Sequence, residues 1–153
     1  MRQRFALWGL FVAMLTGCAE ISSAPPPGND PASLAMHDFQ REALDRARQD
    51  SEISKVLIGF SAPWSQQNGI AFHWIVTEST ADEIRNGSPI LKQMSRVLQD
   101  TRQSMLSRLP GVSISVNVVT REPRTEDDVR RYRVAFISIL RSGSAREIIL
   151  GRN

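Results

Sequence analysis

Between Ser88 and Val118 the apolar residues change period once. Ile90, Leu91, Met94, Val97, Leu98, Met105, Leu106 and Leu109 follow a 3.6-residue spacing, the pattern of an amphipathic helix. Ser88 is a suitable N-cap for it and Pro89 a suitable first-turn residue. Pro110-Gly111 then stops the helix, and Val112, Ile114, Val116 and Val118 alternate with Ser113, Ser115 and Asn117. Period two with one polar side predicts a strand in a sheet covered on one face only. A helix with one apolar stripe beside such a strand has one economical solution, a two-layer arrangement with the core between them.

The other segments extend this picture. Residues 32–50 read as a helix, with Met36, Phe39, Leu44 and Ala47 on one stripe and Glu42 and Arg46 as an i,i+4 ion pair. Ile53–Phe60 and Ile70–Thr77 are β-branched, apolar runs and predict strands joined as a hairpin across the loop 61–69, SAPWSQQNG. Residues 80–87 suit a helical turn ended by Gly87. Residues 129–141 fit both periods. Thr125 and Asp128 have capping-box spacing, and Val129, Tyr132, Phe136, Ile139 and Leu140 suit a helix, yet Tyr132, Val134 and Phe136 alternate and VAFISIL is rich in strand formers. The strand assignment is adopted, with a short final strand over 145–150. The expected fold class is α+β: a two-layer sandwich, an antiparallel sheet of about four to five strands with two helices on one face. Five strands are too few for an outer-membrane barrel, whose smallest members have about eight.

With 153 residues, one domain with a real core is expected. Hydrophobic residues make up 41% and charged residues 23%, which places the bulk of the chain among folded domains and not among disordered or multi-span membrane chains. Of 19 Lys and Arg, Arg2 and Arg4 precede Cys18, while all 16 Asp and Glu follow it, so the part from Cys18 onward carries 17 minus 16, a formal +1. That balance gives little reason to expect a nucleic-acid partner. The arginine-rich stretch Arg121–Arg133 mixes both signs and offers only Tyr132 for stacking, so it reads as a solvated loop.

The amino end is of a different kind. Met1–Arg4 is short and cationic, and Phe5–Gly17 is apolar and uncharged. About 20 apolar residues are needed to cross a bilayer, so this shorter run reads as a secretory signal. It ends in Leu15, Thr16, Gly17 and Cys18, and Cys18 is the only cysteine in the chain. These four residues resemble the lipobox of bacterial lipoproteins. The resemblance implies cleavage before Cys18, with residues 1–17 removed as signal peptide, and a diacylglycerol on the Cys18 sulfur, where a thiolate supplies the nucleophile. Each buried methylene contributes about 0.8 kcal/mol, so two or three acyl chains on one residue hold firmly where one alone binds reversibly. In that family an Asp directly after the cysteine marks retention in the inner membrane. Ala19 stands there instead, which implies the outer membrane, facing the periplasm, in a source with two membranes. Residues 18–31 continue as a tether, small, polar and proline-rich, with Pro25–Pro27 in sequence. Polyproline geometry extends it by about 3.1 Å per residue. Residues 32–153 form the single α+β domain.

Chemical motifs are sparse. With Cys18 lipidated, no thiol remains for catalysis. The two histidines, His37 and His73, lack zinc-ligand spacing, so no metal or cofactor is expected. There is no G-x-S-x-G elbow, no H-E-x-x-H and no phosphate-binding glycine loop, and no catalytic residue is assigned. Three residues are candidate interface positions. Trp64 lies in the 61–69 loop, where an exposed tryptophan anchors interfaces. His73 and Ile75 share a face of their strand with Ala71 and Thr77, and if Phe72, Trp74 and Val76 are core, that face is open. The expected role is therefore an interaction or assembly component of an envelope complex of the secretion, conjugation or pilus type, bound to the membrane by its lipid and to a protein partner by its domain. The alternative is a small cell-wall or periplasmic ligand-binding protein or enzyme.

Overall fold

A computed structural model describes residues 31–66, 69–105, 107–108 and 113–151, with the side chains of 31–33, 62–66 and 69–70 left aside. Leu15, Thr16, Gly17, Cys18 and the tether up to Asp30 lie outside the described residues.

The helix predicted from 32 is α1, Pro31–Gln49. Its apolar stripe buries Ala35, Phe39, Ala43, Leu44 and Ala47, and Arg46 Nε donates to Glu42 Oε1 at 2.8 Å, the predicted pair. The next segment departs from expectation. Ile53–Val56, expected as the start of a strand, is one helical turn, α2. Asp50 Oδ1 accepts from the amides of Glu52 and Ile53 at 2.9 and 3.0 Å, so the aspartate caps the turn and side chain-to-backbone bonding overrides β-propensity. The turn points Ile53 into the core, where it is fully buried.

Strand β1 then runs Leu57–Gln66, through most of the predicted loop, and β2 runs Gly69–Val76. They pair antiparallel, as the expected hairpin, with irregular register between Leu57 and Gly59 and between Ser61 and Trp64. Helix α3, Glu78–Arg85, is capped by the Thr77 hydroxyl, which accepts from Thr80 N. It ends in a Schellman motif: Gly87, at φ 87°, donates to Ile84 O, and Ser88 N donates to Glu83 O. Helix α4, Ile90–Ser104, follows, with Ile90, Leu91, Met94 and Leu98 buried and Ser88 Oγ accepting from Ile90 N at 3.4 Å.

Strand β3, Ser113–Val119, alternates as predicted over Ser113–Val116, but Asn117 and Val119, on the side expected to be open, are buried along with Val118, so the expectation of a sheet covered on one face only is corrected there. The ambiguous stretch divides. Thr125 and Asp128 form the full capping box of a short helix α5, Glu126–Tyr132, and the chain turns extended at Arg133 to give β4, Arg133–Ile139. Both periods seen in the sequence are therefore real, but consecutive; the strand assignment holds only for the second half. β5, Ala145–Ile149, closes the sheet.

The fold is α+β, with a five-stranded sheet in the order β1-β2-β3-β4-β5. The expected all-antiparallel sheet is corrected at one seam, because β2 and β3 run parallel, in register from Gly69↔Ser113 to Ile75↔Val119. Parallel neighbours need a long crossover, and α3 and α4 provide it. The expected two covering helices are corrected too. Besides α1 and α4, α3 packs on β4, while α2 sits by α1 and α5 by β3. The core joins Phe39, Ala43 and Ala47 of α1, Ile84 of α3 and Met94 and Leu98 of α4 to one face of the sheet, which bears Phe72, Trp74, Val116, Val118 and Ile137. Phe39 stacks on Phe72 with ring centroids 5.7 Å apart.

Candidate functional site

The register determines what stands on the other face. Cross-strand partners there run Ser61↔His73 between β1 and β2, and His73↔Asn117 between β2 and β3. Arg133 of β4 reaches the same row, its Nη1 donating to Asn117 Oδ1 at 3.3 Å while its guanidinium lies 5.9 Å from the centre of the Phe136 ring. Three strands thus contribute one polar residue each to a row whose β4 member is Phe136, and Arg133, opposite Val119, reaches the row through its side chain. Ser61 Oγ and His73 Nδ1 are 2.5 Å apart.

This face is not open at its centre. His73 is 1% exposed, Asn117 4% and Ser61 7%, and Val119 beside them is fully buried. The expectation that His73 is a surface residue is corrected: it stands on the face opposite Phe72 and Trp74, as alternation predicts, but it is buried there, with Ser61 and Asn117 as its cross-strand neighbours. Burial pushes its pKa from 6.5 down to about 4, so at neutral pH the imidazole is uncharged and one ring nitrogen is an acceptor. Ser61 and His73 have the contact that a base-activated nucleophile requires. Both are too deeply placed for substrate to reach the hydroxyl in this conformation. Ile75 is half-buried on the same face. Trp64 pairs through its backbone with Ala71, and its side chain lies outside those described.

The exposed large apolar side chains sit elsewhere, mainly at the two edges of the sheet. Ile58 and Phe60 are exposed on β1, with Arg48 of α1 5.8 Å above the Phe60 ring. Ile148 and Ile149 are exposed on β5, 43% and 45%. Between β5 and α3 lies a shallow cleft of about 450 Å³, lined by Asp82, Arg85 and Asn86 on one side and Ile149, Leu150 and Gly151 on the other. Among the described residues no group of three or more His, Cys, Asp or Glu is arranged to hold a metal ion, and no helix is long and apolar enough to cross a membrane.

Sequence reasoning missed one buried charge. Arg102 of α4, 2% exposed, donates through Nη1 to Leu140 O and through Nη2 to Arg141 O at 3.0 Å. Gln99, one turn earlier, donates to Gly143 O at 3.2 Å. Together they fasten the β4–β5 turn to α4. The signal was present: Arg102 falls four residues after Leu98 and three before Met105, on the apolar stripe itself. The exposed pair at Ile148-Ile149 also had a signal, since two adjacent isoleucines in a strand point to opposite faces and a one-sided sheet covers only one of them.

No protein-family model matches the chain, and no curated protein and no solved structure is significantly similar to it.

Proposed function

We propose that the chain is a lipid-anchored envelope protein whose domain acts as an interaction or assembly component of a cell-envelope complex of the secretion, conjugation or pilus type. The observation that carries this is the stretch Leu15-Thr16-Gly17-Cys18, closing a short apolar run and holding the only cysteine. A lipid on Cys18, a tether up to Asp30 and a domain with exposed apolar residues at its sheet edges suit a part held at a membrane and presented to a protein partner. The anchoring is tested by Cys18→Ala. Wild-type protein is expected in carbonate-washed membranes and the variant in the soluble fraction; a variant that stays fully membrane-bound removes the lipoprotein reading. The partner is tested by crosslinked pull-down from native membranes, where a stoichiometric set of envelope proteins is the expected result.

The second reading, a small hydrolytic or ligand-binding protein, has one observation in its favour, the 2.5 Å contact of Ser61 and His73. A serine-directed fluorophosphonate probe decides it. Labelling that disappears in Ser61→Ala would establish a reactive serine, and an unlabelled protein leaves the pair as part of the buried row.

A further inference from the structure

We infer that β5 is a self-association edge: a second copy of this chain pairs its own β5 antiparallel to the first, about a two-fold axis at Ile148, making one continuous sheet from two five-stranded ones. The inference does not depend on the lipid anchor.

The backbone of β5 is prepared for this. Leu150 N donates to Val134 O and Leu140 N to Ser144 O, both at 2.9 Å, so the even-numbered residues of β5 turn their peptide groups toward β4. Ala145, Glu147 and Ile149 turn theirs outward, and among the described residues no strand pairs with that side. The devices that blunt an edge are proline, a bulge, a very short strand or charged side chains, lysine above all, and of these β5 has only its five-residue length and the two opposite charges Arg146 and Glu147. The β4–β5 pairing is regular from Ala135↔Ile149 to Ile139↔Ala145, and AREII contains neither proline nor lysine. The turn leading into it is held by Arg102 and Gln99, so the edge is already ordered before anything binds. Ile148 and Ile149 stand exposed on opposite faces, so an added strand covers apolar surface on both.

The charges choose the register. In an antiparallel pair, residues directly opposite share a face, and like charges opposite each other are destabilising. An axis at Arg146 sets two arginines against each other, and an axis at Glu147 sets two glutamates together. An axis at Ile148 sets Ile148 against its own copy, Glu147 against Ile149 and Arg146 against Leu150. It also engages all of Ala145–Gly151, whereas an axis at Ile149 leaves Ala145 and Arg146 beyond that span. Phe136, the β4 partner of Ile148, then extends the contact to a row of four apolar side chains, two from each copy. Ala145, Glu147, Ile149 and Gly151 supply the hydrogen-bonded pairs, and Ile148 falls in a non-hydrogen-bonded pair, where Cα atoms lie about 4.5 Å apart.

That spacing is within disulfide range and supplies the test. In the full-length protein extracted in detergent, Ile148→Cys, Glu147→Cys and Arg146→Cys are each oxidised mildly beside the unsubstituted chain, which carries Cys18 alone. A disulfide dimer that is dominant for Ile148→Cys and weak in the other three supports the pairing and its register. No Ile148→Cys dimer, a stronger Glu147→Cys dimer, or an Ile148→Cys adduct to a different protein overturns it. Light scattering on concentrated protein gives an independent readout: twice the chain mass for wild type and the single chain mass for Ile148→Lys at unchanged circular dichroism. A wild-type protein that remains monomeric overturns the inference.

Discussion

His73 is a base placed where its charged form is penalised. In the unfolded chain its pKa is the ordinary 6.5, and in the fold burial takes it to about 4. As pH falls through that interval the unfolded chain binds a proton that the folded one refuses, so stability is full above the upper value and lost progressively down to the lower one. The two values differ by an amount corresponding to about 3 kcal/mol. Urea midpoints followed across this interval are expected to fall more steeply for wild type than for His73→Gln; equal slopes would show that His73 does not titrate as described. Arg102 is also a buried base, but one kept charged in the interior by the two carbonyls it holds. Burial lowers its pKa from the ordinary arginine value. Arg102→Lys keeps the charge but loses the planar fork, so it is expected to cost about 1.5–3 kcal/mol by urea unfolding. Faster exchange of the Leu140 amide in the same variant would locate the loss at the β4–β5 turn.

Elements are where the sequence was most informative, and where it misled most instructively. Helices α1 and α4 are visible from spacing alone, because each presents one buried and one wetter side, and strand β3 is visible from its alternation of apolar and polar residue types, although Asn117 and Val119 on its polar side are buried too. Residues 53–56 open an apolar, β-branched run, yet Asp50 captures the amides of Glu52 and Ile53 at its start. The stretch 129–141 contained two true signals in series, and only the switch at Arg133 separates them. The parallel seam was missed because both flanking strand pairs are antiparallel neighbours, and the helical pattern over 78–104 is the crossover that such a seam requires. The burial of His73 was illegible because alternation along one strand assigns a residue to a face and says nothing of whether that face is covered. Cys18 and its neighbours lie outside the described residues, so the strongest motif in the chain is supported by sequence alone. The Thr125 cap carries its own prediction. Thr125→Ala removes the acceptor for Asp128 N and is expected to cost about 1 kcal/mol in a chemical denaturation curve. No measurable loss would mean that α5 is held by its neighbours and not by its cap.

For the whole molecule, order along the chain and order across the sheet coincide. Strands β2, β3 and β4 are interior, each paired on both sides and carrying fully buried side chains, whereas β1 and β5 each have one paired side among the described residues. In a single copy of the chain, as in Ile148→Lys, hydrogen exchange is expected to be slowest at Phe72, Trp74, Val116 and Val118 and fast at the outward amides Glu147 and Ile149. Slow exchange at Glu147 and Ile149 in the native assembly, lost in Ile148→Lys, would match a second copy on that edge.

The crossover between the parallel strands has a consequence for how the protein can be divided. Its exposed midpoint, Gly87, separates two half-proteins: one with α1, α2, β1, β2 and α3, the other with α4, β3, α5, β4 and β5. Each half lends a helix to its counterpart, since α3 rests on β4 and α4 lies against α1. A break at Gly87 therefore interrupts neither a strand nor a helix. Fragments produced separately carry complementary halves of one core, and their reunion along the β2–β3 seam makes this domain a natural scaffold for fragment complementation.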